Sequence, residues 1–265
     1  MSKEWLGVDL GTRTVSYDER DVMLYALAVG ASATDLDLVF ERDLRVLPTF
    51  ALTLAQWAPD ALAAQGAWDP ATAVHGEQHL VVRGPLPPSG ELTMSAHVQH
   101  VWDKGSAAIF DVAVDCAQFG ATWSIFAPGR GGFGGTRGPS AVTTDAEAMN
   151  AVLPLSFADN QAALYRLTGD RHHIHIDPVA AAAIGQPRPI LHGLCTLSAA
   201  VLCLAGAVGA HPADLLELGA RFSGPVFPGS VLDLAYRDDG KHAVRFSAVD
   251  AGRPVLARGT AVFIR

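Results

Sequence analysis

The stretch Tyr165-Arg-Leu-Thr-Gly-Asp-Arg-His-His-Ile-His-Ile-Asp-Pro178 concentrates the side chains of this protein that can move protons. Four ionisable groups, Asp170, His172, His173 and His175, fall on six residues, and Asp177 follows closely. Asp170 and His175 are five positions apart. Across a non-helical loop, both can reach one water or one substrate proton. A carboxylate and an imidazole that share a water form a general acid/base pair with protonation states accessible near neutral pH. Further on, His192-Gly193 opens an apolar run from Leu194 to Val208. Amides at a helix start point outward without partners, with the positive end of the dipole behind them. Gly193 has no side chain, so a carbonyl oxygen can approach its amide closely, as in an oxyanion hole. The combination points to proton chemistry beside a polarised carbonyl.

A metal is the competing reading of the loop. His173 and His175, with Asp177 and His172, can offer ligands along an extended segment. No distant His/Glu set completes such a site, so we expect no metal. A purely structural role is the ordinary fate of a lone histidine, and three histidines with an aspartate in so short a span depart from it.

The elements that must position these groups are legible in outline. Gly169 permits a sharp turn just before Asp170. Asp177-Pro178 reads as an N-cap followed by Pro at the first helical position. The polar run is therefore a loop pinned between helices, with Asp159 to Leu167 helical before it and the apolar helix from His192 after it. Upstream, Ser16-Tyr-Asp-Glu-Arg20 predicts the start of a helix running through Ala31. Asp37 to Arg45 reads as a short strand, and Pro48 to Ala64 as a second apolar helix. Strands are expected at His79–Arg83, Glu91–Asp103, Ala107–Cys116 and Ala121–Ala127, then at Leu218–Ser223, Val231–Arg237, His242–Ala248 and Pro254–Ile264. Residues 128–140 form a glycine-rich connector. Gly129, Gly131 and Gly134 match GxGxxG, but no helix pattern opens after them, so a dinucleotide site is discounted. A linker is the plain reading; a milder one lets its amides, with Arg130 or Arg137, line a ligand site.

Composition sets the bounds. The chain has 265 residues, 49% of them hydrophobic and 17% charged, which describes a folded protein with a substantial core. A net charge of −8 without a basic, aromatic-laced patch argues against nucleic acid. No signal peptide pattern opens the chain. The longest apolar run is short and rich in Gly and Ala, so a membrane span is not expected. Cys116, Cys195 and Cys203 form no metal or CxxC pattern. A reducing, cytoplasmic setting fits best.

The order of elements repeats. Leu24-Tyr-Ala-Leu27 matches Leu164-Tyr-Arg-Leu167 at an offset of 140, and Pro85-Leu-Pro-Pro88 matches Pro225-Val-Phe-Pro228 at the same offset. Pro48 and Pro189 open the two apolar helices at nearly that spacing. The pattern predicts an α+β chain built from two copies of a helix wrapped by a mostly antiparallel sheet: residues 1–127, a linker 128–150, and residues 151–265. No histidine precedes His75, so the first copy lacks the reactive loop and is free to bind.

The segment Tyr165 to His175 resembles the signature of the (R)-specific enoyl-CoA hydratases, the hydratase 2 type among the MaoC-like dehydratases. Pro189-Ile-Leu-His-Gly-Leu-Cys-Thr196 is similar to the same family. So are Val46-Leu-Pro-Thr-Phe50, His75-Gly-Glu-Gln78, Val101-Trp-Asp-Lys-Gly105, Gly131-Gly-Phe-Gly-Gly135 and Arg221-Phe-Ser-Gly-Pro-Val-Phe-Pro228. The resemblance covers nearly the whole chain in order, and it implies a double hotdog fold. It implies Asp170 and His175 as the catalytic pair that holds water, and Gly193 as the amide donor to the thioester oxygen. His75, Gly76, Lys104 and Phe222 fall on positions implied to contact acyl-CoA. The loop residues Arg171, His172, His173 and Ile174 are expected to line the substrate. The implied reaction is reversible syn hydration of a trans-2-enoyl-CoA, with no cofactor, in a homodimer. One departure stands out: the family pattern has Asn-Pro after Gly-Asp-Arg, where this chain has His172-His173. That change leaves open a non-catalytic acyl-CoA-binding subunit; a dehydratase running in reverse on acyl carrier protein is the other enzyme reading.

Overall fold

The computed structural model describes residues 2–139, 149–240 and 243–264. Lys241, His242 and residues 140–148 of the expected linker lie outside the described residues. In the first half, β1 (Asp9–Tyr17) is followed by α1 (Glu19–Ala28), α2 (Leu36–Val39), α3 (Phe50–Ala55) and α4 (Trp57–Ala64). Then come β2 (Val74–Val82), β3 (Gly90–Asp103), β4 (Ala107–Asp115) and β5 (Phe119–Pro128). The second half runs β6 (Ala151–Ser156), α5 (Gln161–Tyr165), α6 (Pro178–Ala183) and α7 (Gly193–Ala207). It closes with β7 (Leu215–Phe222), β8 (Val231–Asp238), β9 (Ala243–Asp250) and β10 (Arg253–Phe263).

All ten strands make one sheet in the order β1-β3-β4-β5-β2-β7-β10-β9-β8-β6. Read outward from the centre, both halves run in the same order, which is the duplication that the offset in sequence predicts. The halves meet where β2 pairs antiparallel with β7, from Glu77↔Arg221 to Val81↔Glu217. This is a double hotdog of the α+β class. The strands alternate as a one-sided sheet requires: Leu92, Met94, Ala96 and Val98 of β3 are buried, as are Phe119, Ala121, Trp123 and Ala127 of β5. Helix α7 is apolar nearly all round, the pattern of a helix enclosed by protein. Cys195 is fully buried within it.

The matched letters of the repeat meet in space. Tyr25 and Tyr165, equivalent at the offset of 140, lie with ring centroids 6.1 Å apart. The Tyr25 hydroxyl shares a buried hydrogen bond of 2.8 Å with Ser198 Oγ, so α1 of the first half is tied to α7 of the second. Gln161 Nε2 donates to the Ala28 carbonyl at 3.1 Å across the same junction.

Several boundaries differ from the sequence reading. Ser16 does not open a helix. β1 continues to Tyr17, and Asp18 caps α1 through a reciprocal pair with Asp21. The helix stops at Ala28, short of Ala31, and Gly30 follows at φ 102°. Residues 37–45 are not a strand: α2 is a single turn, and the chain beyond it turns through Asp43 at φ 61°. The expected helix from Pro48 to Ala64 is two helices broken at Gln56. Strands β1 and β6 escaped the sequence reading because both lie at the sheet's edges. Edge strands bury little, so their apolar alternation is faint, and Pro154 is tolerated within β6 for the same reason.

Replacing Tyr25 by Phe keeps the ring and strands Ser198 Oγ. We expect a loss of stability of about 1–2 kcal/mol, read as a lower midpoint in denaturant unfolding with an unchanged m-value.

Candidate active site

The reactive loop is shaped by local rules. Gly169 sits at φ 152°, and a Cβ there would lie 3.1 Å from Thr53 Cγ2, so only glycine fits between the loop and α3. Asp170 then accepts the His172 amide at 3.0 Å, closing an Asx turn. The segment His173–His175 is a single 3₁₀ turn, not fully extended as the metal reading requires. His172 caps that turn, its Nδ1 accepting the Ile174 amide at 3.4 Å. Asp177 caps α6 by accepting the Val179 amide at 2.8 Å, and Pro178 is the first helical residue, as the sequence predicts.

His175 is buried, and its Nδ1 lies 2.9 Å from the Ile190 carbonyl. A carbonyl only accepts, so Nδ1 carries the hydrogen and Nε2 of the neutral ring is left as an acceptor. Burial pushes the His175 pKa below the ordinary imidazole value, while the nearby Asp170 charge pulls it back up. The His192 ring stacks on His175 at 3.7 Å and 25°, and its Nε2 donates to the Asp170 carbonyl at 3.2 Å. Asp170, His175 and His192 each place one ligand-capable atom within 4.8 Å of the others. Imidazole lone pairs lie in the ring plane, so two stacked rings do not converge on one ion as a metal site demands. His172 and His173, the other histidines of the metal reading, are exposed. The cluster fits a shared proton better than a cation.

Gly193 is the first residue of α7, and its amide has no acceptor among the described residues. A Cβ at Gly193 would lie 3.1 Å from the Phe222 ring. Phe222 also meets His75, with ring centroids 4.7 Å apart. His75 donates from Nε2 to the Glu77 carbonyl at 3.1 Å, and burial pulls its pKa down to about 4. Gly76 follows at a register shift where β2 pairs with β5, its missing Cβ leaving room for the Ser124 carbonyl. The start of β2, the end of β7 and the start of α7 thus converge beside the loop.

Lys104 lies at the turn after β3, at the same end of the sheet, because β3, β4, β5 and β2 pair in sequence and antiparallel. Its ammonium donates to the Arg137 carbonyl of the glycine-rich connector. An ammonium has three hydrogens, so two remain for another acceptor. The connector itself is organised around Asp103, whose carboxylate accepts the amides of Gly105, Gly132 and Gly134 at 2.8–2.9 Å. Those donors hold its pKa down to about 2. The Gly132 and Gly134 amides are therefore spent on a protein carboxylate and are not free for a ligand. Arg130 donates to the Gly66 carbonyl at 2.8 Å.

Arg171, His172 and His173 are exposed, and Ile174 is half-buried with its carbonyl accepting the Ile190 amide at 3.2 Å. A cleft of about 340 Å³ opens beside Thr168 and Gly169, walled by Tyr17, Leu24, Phe50, Leu54 and Trp57 of the first half. The break at Gln56 between α3 and α4 falls on this wall. Sequence reasoning placed His192 only as the entrance to a helix. Its place directly before Gly193 was the available signal, but nothing in the letters shows that its ring covers His175.

The fold and the site define a protein of the hotdog class with an Asp/His cluster beside the start of a buried helix. Comparison with known proteins makes the membership specific. Residues 15–126 match the MFE-2 hydratase 2 N-terminal domain, and residues 140–257 match the MaoC like domain. The chain is 36% identical over 261 residues to enoyl-CoA hydratase ChsH3 of Mycobacterium tuberculosis, covering 90% of each. It is also 36% identical over 233 residues to 3-hydroxyacyl-thioester dehydratase Y of the same organism, covering 82% of this chain and 80% of that one. A MaoC-like dehydratase structure from Phytophthora capsici superposes with a TM-score of 0.88 at 27% identity, covering 100% of this chain and 98% of that one. The chain belongs to the MaoC-like dehydratase family, in its hydratase 2 branch. Among the described residues, no helix is long and apolar enough to cross a membrane.

Two outcomes follow from this geometry. Three histidines, His75, His175 and His192, hold pKa values below the ordinary 6.5, with His75 at about 4 and His192 at about 3. The unfolded chain then binds more protons than the folded one below 6.5, so stability falls as pH drops through that value and goes on falling towards 3. Thermal midpoints measured from pH 8 to pH 4 should decline on the acid side, beginning near 6.5. Separately, Gly193→Ala puts a methyl against Phe222 and crowds the amide. Turnover should drop by about 10²-fold with little change in melting temperature, as a steady-state assay beside a melting curve will show.

Proposed function

We propose that this protein catalyses the reversible syn hydration of trans-2-enoyl-CoA to (R)-3-hydroxyacyl-CoA. The observation that carries the reading is the meeting of Asp170, His175 and the unpartnered Gly193 amide at one place. Asp170 and Nε2 of His175 hold a water by accepting its hydrogens. The water oxygen attacks C3 of the enoyl group, and the pair gains the proton that leaves it. The C2–C3 π electrons move towards the thioester carbonyl, whose oxygen takes up negative charge against the Gly193 N–H. A proton returned to C2 on the same face restores the carbonyl and completes the addition. Dehydration is the same path reversed. The pKa of His175, lowered by burial, suits this task, since only the neutral ring accepts a proton.

In this reading residues 151–265 supply the chemistry, residues 1–127 supply substrate binding, and residues 128–150 link them. The acyl chain enters the cleft between Gly169 and Trp57, and the CoA moiety passes His75, Gly76 and Phe222 towards Lys104. The Lys104 ammonium, already anchored to the connector, offers its remaining hydrogens to phosphate. Arg171, His172, His173 and Ile174 line the entrance. His172 takes the place of the family Asn and still caps the catalytic turn, which supports retained activity. We assign the active form as a homodimer, as the family resemblance implies, and the setting as cytoplasmic, in keeping with three free cysteines.

The relative named 3-hydroxyacyl-thioester dehydratase Y supports a second reading, the reverse reaction on a 3-hydroxyacyl thioester, with acyl carrier protein as the alternative carrier to CoA. The same residues serve both; the carrier decides between them.

Loss of enoyl-thioester absorbance with crotonyl-CoA and a longer trans-2-enoyl-CoA tests the proposal, with chiral analysis of the product. Wild type should give the (R)-3-hydroxyacyl-CoA, and Asp170→Asn should lose at least about 10²–10⁴-fold in rate while still binding the thioester. An (S) product, or an unaffected Asp170→Asn variant, sinks the assignment.

A further inference from the structure

His192 is buried to 2% exposure and is used by neither step described above. It makes two directed contacts. Nε2 donates to the Asp170 carbonyl at 3.2 Å, and the ring face covers His175 at 3.7 Å. Its outer side packs on Tyr165, with centroids 4.7 Å apart and planes at 48°. It is also the N-cap of α7, immediately before Gly193, and its own carbonyl accepts the Thr196 amide at 3.1 Å. One residue therefore touches both members of the acid/base pair and is covalently joined to the oxyanion glycine.

The choice of histidine here is informative. Its Nδ1 is buried with no hydrogen-bond partner among the described residues. A buried acceptor left unpaired is a cost that packing alone does not require. Phenylalanine would cover His175 without that cost, and glutamine would donate to Asp170 without a ring. The imidazole does both. Burial and the neighbouring His175 keep it neutral, with a pKa of about 3, so it adds no charge against an imidazolium on His175.

We propose that His192 is a positioning residue of the hydration reaction: it clamps the Asp170 backbone and the His175 ring to the first turn of α7, so that the proton-handling pair and the Gly193 amide keep one fixed geometry. The inference rests on the hydratase reading for its kinetic consequence, but the clamp itself is a statement about His175 and Asp170 that can be read without turnover. The charged and titratable groups around the Asp170–His175 pair include His172 on the loop, Tyr165 and Arg166 before it, Asp60 on α4 and His75 across on β2. None of them is altered by a change at 192.

The test uses two variants, each keeping one contact. His192→Phe retains the ring face and loses the donor. His192→Gln retains a donor and loses the ring face. We expect kcat to fall by about 10–100-fold in both, as misplacement of a reacting group commonly costs, with KM for the enoyl-CoA within about threefold. Melting temperatures should not track the loss. By NMR titration of the imidazole signals, His175 in His192→Gln should titrate at higher pH than in wild type, because removing the covering ring lets water reach the imidazolium. In His192→Phe the His175 titration should stay within experimental scatter of wild type. Both variants with wild-type kcat and wild-type His175 titration overturn the proposal, as does a kcat loss that merely follows melting temperature. A wild type without hydratase turnover, but with the His175 titration displaced in His192→Gln, overturns the hydratase reading and leaves the clamp standing.

Discussion

The antiparallel pairing of β2 with β7 is the constraint on which the site depends. It joins two five-stranded sheets into one, with Glu77 opposite Arg221 and Val81 opposite Glu217. Because the pairing is antiparallel, the start of β2 lies beside the end of β7, and this sets His75 against Phe222. Phe222 in turn limits how α7 can enter, since a Cβ at 193 would lie 3.1 Å from its ring. A slip of one residue in this ladder would turn these side chains to the opposite face of the sheet. The ion pair between Arg258 and Glu77, at 3.2 Å, bridges the two halves on the exposed side, and as a solvated pair it adds little to the register.

Duplication allowed the two halves to divide the work. The position that opens the long helix is Phe50 in the first half and Gly193 in the second, each directly after the N-cap. Phe50 packs on Tyr17 and Tyr25, with centroids 5.4 and 5.1 Å away, and fills the place where the other half keeps an open amide. The helix that no longer presents an amide breaks at Gln56, and its residues wall a cleft next to Gly169. The half without an open amide at its helix start is thus the half whose broken helix walls the cleft.

The polar loop tolerates histidines because their environments differ. His173 is exposed, His172 caps a turn, and His175 and His192 are packed face to face out of water. Desolvation opposes the charged form of each buried ring, and Asp170 opposes that effect from one side. The balance leaves a neutral imidazole with one free nitrogen next to a carboxylate, which is the arrangement a shared water requires.

Much of this was legible in the letters. Gly169, Asp177-Pro178 and the apolar run after Gly193 are local signals, and each forms the turn, cap or helix that its chemistry predicts. The offset of 140 residues announced the duplication, because equivalent core positions need equivalent side chains. The spacing of Asp170 and His175 was likewise visible as a chemical possibility. Other features were decided only in three dimensions. β1 and β6 are strands through their pairing with β3 and β8, not through a buried pattern of their own. The connector amides serve Asp103, which lies about 30 positions earlier, and no local rule ties them together. The stacking of His192 on His175 depends on how α7 meets the loop. Local chemistry was written residue by residue, whereas contacts between segments distant in sequence arose from packing two half-sheets around one pair of helices.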